Sequence, residues 1–131
     1  FSGAAYFHPR PSAAGEGYDA ANSGGTNLGP LSRKLIGDVR SRGDAYRREN
    51  NLPADVLLPA DAVTSSASGL DPHISIRNAE LQASRVAAAR GMSKEEVLIK
   101  VRTRMEGREF WILGEQRVNV LMLNLDLDGR L

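Results

Sequence analysis

The spacing of apolar and polar residues predicts a long amphipathic helix in the first half of the chain. From Leu31 to about Asn50, bulky apolar residues recur at helical intervals, with Ser32 as the predicted N-cap. Asn51 and Pro53 follow as the predicted end of this helix. The charged residues between the apolar positions are typical of a solvated helix face.

Two further helices are predicted, each with recognisable ends. Ser75 precedes IRNAELQASRVAAAR as an N-cap, and Gly91 follows it where a left-handed residue commonly ends a helix. In SKEEVLIKVRTRMEG, Ser93 and Glu96 have the spacing of a capping box, and Gly107 is the predicted end.

Two other stretches predict strands. One covers residues 62–65, because Pro59 in the preceding apolar run cannot donate a hydrogen bond within a sheet. The other is RVNVLMLNLDLD, where apolar and polar residues alternate with a slip between Val120 and Leu121, as at a bulge. If these strands lie parallel, the helices between them form a right-handed crossover. The expected fold is a single α+β domain over residues 1–131, or an α/β one, with a small sheet covered by about three helices.

Residues 1–30 are rich in Gly, Ser, Pro, Ala and Asn and show no apolar period. Tyr6, Phe7, Tyr18 and Leu28 interrupt this composition with side chains that prefer burial. An irregular but ordered segment that packs on the core is therefore favoured over a flexible linker.

Composition narrows the possible functions. The net charge of +1 gives no long-range attraction for nucleic acid, and an aromatic content of 5% argues against a base-stacking surface. The absence of cysteine excludes disulfides and thiolate metal sites. No apolar run approaches the roughly 20 residues of a spanning helix, so the chain as given is expected to be soluble.

Two loops carry residues that could take part in binding or catalysis. SGGTNLG, residues 23–29, could present backbone amides to a phosphate, but the lysine of a P-loop is absent and a simple turn is favoured. In SASGLDPHIS, residues 66–75, His73 could act as a base oriented by Asp71, with serine hydroxyls nearby. The favoured alternative is a helix entrance shaped by Asp71 and Pro72.

Metal or partner binding could also involve His8, Arg117 and Asn119. A metal site would require His8 and His73 to meet with a carboxylate, which their spacing does not predict. Arg117 and Asn119 could bind a carboxylate of a partner or a neighbouring loop, and a solvent-facing strand edge is an equal alternative.

Five blocks occur in an order that resembles the KdpC subunits of Kdp potassium-transporting ATPases. They are YFHPRPSAAG, NSGGTNLGP, VTSSASGLDPHIS, RVAAARG and GEQRVNVLMLNLDLD, and together they span nearly the whole chain. The residues suggested as partner or nucleotide contacts, most of them within the family's motifs, are Arg10, Ser12, Ser23, Gly24, Gly25, Asn27, Ser68, Gly69, Asp71, His73, Arg117 and Asn119.

The resemblance implies an accessory subunit without catalytic activity in an ATP-driven, high-affinity potassium uptake pump. Its partners would be a channel-like subunit and a P-type ATPase subunit, and it would stabilise their complex or raise the ATP affinity of the pump. Family members carry an N-terminal membrane helix before the position of Phe1, so the chain is expected to be a truncated or processed extracytoplasmic domain. No resident cofactor is implied. The alternative is a regulator that binds ATP through its Gly/Ser-rich loops.

Overall fold

The computed structural model of the chain describes residues 2–11, 28–65, 72–105 and 116–131. In this part of the chain the elements are α1 (Leu28–Glu49), α2 (Ala60–Val63), β1 (His73–Ser75), α3 (Ile76–Arg90), α4 (Lys94–Thr103), β2 (Arg117–Asn119) and α5 (Val120–Leu127). The two strands pair antiparallel, with Ile74 opposite Val118. The prediction of an α+β fold is confirmed, with five helical segments in the described residues rather than about three.

The best-predicted elements are α3 and α4. The Ser75 hydroxyl accepts a hydrogen bond from the Asn78 amide at 3.1 Å, and Gly91 has a left-handed φ of 66°. Both hydrogen bonds of the capping box between Ser93 and Glu96 are present. Each of these signals depends on residues within one helical turn, which is why it could be recognised in the sequence. The helix α4 ends at Thr103, and Gly107, its predicted end, lies outside the described residues.

The first helix was predicted with the right end but the wrong start. It ends at Glu49, and Asn51 follows with a left-handed φ of 56°. It begins at Leu28, so Ser32 lies within the helix and is not its N-cap. Pro30 does not prevent this start, because backbone N–H groups in the first turn have no partner within the helix.

The strand predicted at residues 62–65 is wrong, because α2 covers Ala60–Val63. Pro59 stands at its N-cap and accepts a hydrogen bond from the Ala62 amide at 3.0 Å. A proline suits the entry of a helix because its φ is already close to the helical value. Ala62 and Val63 are buried with Tyr46 in a small apolar cluster below α1. Burial of this one turn decides its conformation.

The long strand predicted from Arg117 onwards is also wrong. Only Arg117–Asn119 is extended, and the slip near Val120, taken for a bulge, is where α5 begins. The Asn119 side chain accepts a hydrogen bond from the Met122 amide at 3.1 Å and so caps the helix. Val120, Leu123 and Leu127 have helical spacing as well as partial alternation, and they pack in the core. The parallel crossover is therefore wrong too, since β2 pairs antiparallel with β1.

The main core lies between α3, α4, α5 and the small sheet. The helix α3 contributes mostly small residues to it, which allows α4 to pack closely against it. The buried members of this core are Phe7, Ile74, Ala79, Ala83, Val86, Ala87, Val97, Val101, Val118, Val120 and Leu123.

The N-terminal segment is fixed to the core by two buried side-chain amides. Asn124 accepts from the Phe7 amide at 2.8 Å and donates to the Phe7 carbonyl at 3.0 Å. Gln82 does the same for His8, at 2.8 and 3.1 Å. These side chains bind the backbone as an adjacent strand would, which satisfies buried polar groups. Residues 2–11 therefore pack on the core as predicted, while residues 12–27 of the same predicted segment lie outside the described residues.

The protein is expected to lose stability in acid because of two carboxylates near its C-terminus, those of Asp126 and Asp128. Burial alone would raise the pKa of Asp126, but hydrogen bonds from Arg104 and Lys100 hold it below its ordinary value. Hydrogen bonds from Arg90 and from Tyr6 likewise lower the pKa of Asp128. Because the folded pKa lies below the unfolded one, the stabilisation is complete above about pH 4 and is lost as the pH falls through the folded values.

Urea unfolding between pH 7 and pH 2.5 measures this loss. The variant Asp126→Asn should lose less stability over that range than the unsubstituted protein, because it lacks one of the two carboxylates whose pKa is lowered in the described structure. Equal losses in the two proteins would contradict the assignment of acid sensitivity to this carboxylate.

Candidate functional site: an arginine-lined cleft

A cleft of about 570 Å³ opens between the N-terminal segment, α2, the start of α3 and β2. Its lining residues come from four separate parts of the chain, which are brought together only when the chain folds. The described residues that line it are Arg10, Pro59, Ala60, Asp61, Thr64, Ser75, Ile76, Arg77, Gln116 and Arg117.

Asp61 holds the walls of the cleft together. Its carboxylate accepts hydrogen bonds from the backbone amide and the hydroxyl of Ser75, both at 2.8 Å, and from the Asn78 side chain at 3.0 Å. Hydrogen bonds to a carboxylate are stronger than those between neutral groups. Asp61 therefore fixes α2 against the start of α3.

Three arginines give the cleft its chemical character. Arg10 is half-buried and donates to the Thr64 hydroxyl and the Ser65 carbonyl, both at 3.3 Å. Arg117 is half-buried in β2, opposite Ser75, and Arg77 is exposed in the first turn of α3. Guanidinium groups present planar sets of donors that match carboxylates and phosphates. The arrangement is suited to binding an oxyanion.

A buried polar network supports the cleft from below. The Tyr46 hydroxyl donates to the Asn78 side-chain oxygen at 2.6 Å, and Gln82 donates to the same oxygen at 2.8 Å. Burial, and next the nearby Asp61 carboxylate, raise the pKa of Tyr46 well above its ordinary value. The phenol therefore remains a hydrogen-bond donor at physiological pH. Because Asn78 also binds Asp61, the network links the cleft wall to the N-terminal segment.

The structure brings two of the suggested contact residues, Arg10 and Arg117, to this cleft. His73 and Asn119 face each other across the two strands, and Asn119 caps α5. The remaining suggested residues, Ser12, Ser23, Gly24, Gly25, Asn27, Ser68, Gly69 and Asp71, lie outside the described residues.

The metal and catalytic alternatives rest on the two histidines. The Nδ1 atom of His8 lies 2.7 Å from a carboxylate oxygen of Glu49, while His73 is in β1. Within the described ranges, no group of three or more His, Asp or Glu side chains is placed to hold a metal ion. Asp71 and the serines of the catalytic alternative fall outside those ranges.

Sequence reasoning missed Asp61 and Arg77 as parts of the cleft. Asp61 meets Ser75 across 14 residues of sequence, and no local spacing signals such a contact. The only available signal was the position of Asp61 just after Pro59, where an acidic residue suits a first helical turn. That signal was hidden by the incorrect strand prediction for residues 62–65.

Residues 1–129 match the KdpC family, described as the c chain of the K+-transporting ATPase. The chain belongs to this family. Similar proteins are the potassium-transporting ATPase KdpC subunits of Mycobacterium tuberculosis, 59% identical over 128 residues (98% of this chain and 68% of that protein), and of Myxococcus xanthus, 58% identical over 130 residues (99% and 61%). The KdpC subunit of Koribacter versatilis is 56% identical over 129 residues (98% and 65%).

These findings confirm the resemblance seen in the sequence. The chain spans about two thirds of the length of these relatives. Each relative is named as a subunit of the ATPase, which agrees with the prediction of a subunit rather than an enzyme in its own right.

Proposed function

We propose that this chain is a non-catalytic accessory subunit of an ATP-driven potassium uptake pump and that it stabilises the assembled pump. The observation that carries the proposal is the family match over residues 1–129. Its partners would be a channel-like subunit that carries potassium and a P-type ATPase subunit. Arg10 and Arg117 line a cleft to which four parts of the chain contribute, and arginine side chains are common in directional contacts between proteins.

The proposed location is the cell membrane, with this domain on the extracytoplasmic side and a single N-terminal helix as the anchor. The similar proteins are longer than this chain, which leaves room for such a segment in the family. None of the helices in the described ranges has both the length and the hydropathy to cross a membrane.

Raising the ATP affinity of the pump is a finer form of the same proposal. On the proposed topology, ATP and this domain are on opposite sides of the membrane, so any such effect would have to pass through the partner subunits. Assembly is therefore the primary role in this account.

Direct ATP binding is the second candidate, because the guanidinium groups of the cleft would also suit phosphate. Calorimetry of the complete protein with millimolar Mg–ATP separates the two candidates. Saturable heat would favour a nucleotide-binding regulator, and no heat would remove direct binding by this chain.

The assembly role is tested by purifying the pump in detergent from cells that have or lack the gene for this subunit. Without it, we expect the remaining subunits to separate during purification and ATP-driven potassium uptake to be lost. Reintroducing the complete gene should restore both properties. A pump that stays intact and active without this subunit would contradict the proposal.

A further inference from the structure

We infer that residues 2–8 form a rigid connector, which fixes the orientation of this domain relative to the segment that anchors it. Arg85 and Arg90 of α3 are the positioning residues of this connector. The inference rests on the proposed function, in which an N-terminal anchor precedes the domain and the domain stabilises the pump. It adds the way in which the anchor and the domain are joined.

Side chains of the protein bind five successive backbone carbonyls of the connector. Arg85 donates to the carbonyls of Ala4 and Tyr6, at 2.7 and 2.8 Å. Arg90 donates to the carbonyl of Ala5, which lies between them, at 2.7 Å. The next two carbonyls accept from two buried side-chain amides, at 3.0 and 3.1 Å. The first residues of most domains are poorly ordered unless other parts of the protein hold them, and here side chains do so.

Each of the two guanidinium groups also binds a second part of the domain. Arg85 donates to the Asn50 side chain at 2.9 Å, just beyond the end of α1. Arg90 donates to the Leu127 carbonyl at 2.9 Å and to the Asp128 carboxylate at 3.0 Å, at the end of α5. All three nitrogen atoms of each planar group donate, which leaves the group little freedom to rotate. The connector is therefore oriented against α1, α3 and α5 together.

A turn sets the direction in which the chain enters the domain. The Tyr6 amide donates to the Gly3 carbonyl at 3.2 Å and closes this turn. The Arg90 guanidinium group lies over the Tyr6 ring, 4.9 Å from its centroid, which is a favourable cation–π contact. The Tyr6 hydroxyl donates to Asp128 at 2.9 Å. The turn is therefore held both at its backbone and at its aromatic side chain.

The contacts before Phe7 fix geometry more than they build the core. Gly3 and Ala4 are exposed and Ala5 is half-buried, so these small residues bury little apolar surface. Water could satisfy the exposed Ala4 carbonyl, so burial does not require its contact with Arg85. A domain on a flexible linker loses orientational freedom when it docks, whereas a domain on a rigid connector has already lost it. The connector thus favours assembly of the pump.

The first test separates the connector from the segment that precedes it in the complete protein. A short run of Gly and Ser residues inserted immediately before Ser2 leaves the contacts of Arg85 and Arg90 in place, so thermal unfolding of the domain should be unchanged. Because the domain would then reorient freely, we expect recovery of the intact pump in detergent to fall by at least about fivefold. The same run placed after Leu131, which is exposed, is the matched control and should leave recovery normal.

The second test loosens the connector itself. Arg85→Gln with Arg90→Gln removes the planar donors that bind three of its carbonyls. Spin labels attached through Ser2→Cys and Arg102→Cys, both at exposed positions, measure the distance between the connector and α4 in the complete protein, and this chain has no native cysteine. We expect a single narrow distance distribution without the arginine substitutions and a broad one with them.

The control for these substitutions is Arg40→Gln with Arg48→Gln, at exposed positions on α1, and it should keep the narrow distribution. If the double variant at Arg85 and Arg90 does not fold, Arg85→Lys replaces it and should also broaden the distribution, because lysine keeps the charge but lacks the planar set of donors. A broad distribution in the unsubstituted protein, or normal recovery of the pump after the insertion, would overturn the inference and leave the proposed function intact. A pump that needs no subunit at all would instead contradict the proposed function, while the distance measurement would still test the connector.

Discussion

Phe7→Ala is expected to lower the free energy of unfolding by about 3–5 kcal/mol. Phe7 is fully buried in the main core, far in sequence from the helices that surround it. Its removal takes away apolar contacts and leaves a cavity that the packed helices cannot fill. Urea unfolding measures the change directly.

The matched control is Leu57→Ala. The Leu57 side chain is 84% exposed, so its truncation should change stability by less than about 0.5 kcal/mol. Because Phe7 anchors the segment that carries Arg10, the Phe7 variant should also displace Arg10 from the cleft and weaken recovery with the pump. If Phe7→Ala lowered the free energy of unfolding as little as Leu57→Ala does, the N-terminal segment would not be part of the core.

Asn124→Asp is expected to lower the free energy of unfolding by about 3 kcal/mol or more near neutral pH. Asn124 is fully buried, and its amide both accepts from and donates to the backbone of Phe7. A carboxylate cannot donate, so the Phe7 carbonyl would lose its partner and a charge would be buried. Urea unfolding at pH 7 gives the size of the loss.

The same substitution at Asn119 is the control. Asn119 is half-exposed, and among the described residues its side chain only accepts a hydrogen bond, from the Met122 amide. Aspartate serves equally well as an N-cap. Asn119→Asp should therefore leave stability nearly unchanged. Burial would raise the pKa of the carboxyl introduced at position 124, so its deficit relative to the unsubstituted protein should narrow as the pH falls. If Asn119→Asp and Asn124→Asp lowered stability equally, the role of the Asn124 amide in binding the Phe7 backbone would be contradicted.

The parts of the fold that could be predicted are those fixed by local contacts. Ser75, Ser93 and Gly91 act within one helical turn, and the ends of α3 and α4 were read correctly from them. The class of fold was also predicted, although only residues 117–119 of the two predicted strands are extended in the structure.

The parts that could not be predicted depend on distant contacts. Residues 62–65 and 120–127 contain apolar patterns that suit either a strand or a short helix. Packing on Tyr46 decides the first case, and the cap at Asn119 together with the core decides the second. No local pattern reports which partner a short apolar run will meet.

The candidate site likewise contains residues that could be predicted from the sequence and residues that could not. Arg10 was suggested by the family's motifs, and Arg117 also by its donors beside the last predicted strand. Arg77 and Asp61 were found only when the fold placed them beside those residues. The buried amides of Gln82 and Asn124 were missed because each acts on a backbone more than 70 residues away in sequence. A glutamine or asparagine within a helix gives no sign of such a partner.

Hydrogen exchange of the complete protein, alone and within the detergent-solubilised pump, tests the docking cleft most directly. The account predicts slower exchange in the pump at residues 59–65 and 116–119, with little change at residues 94–100 on α4. Unchanged exchange around the cleft, together with slowing on α4, would contradict it.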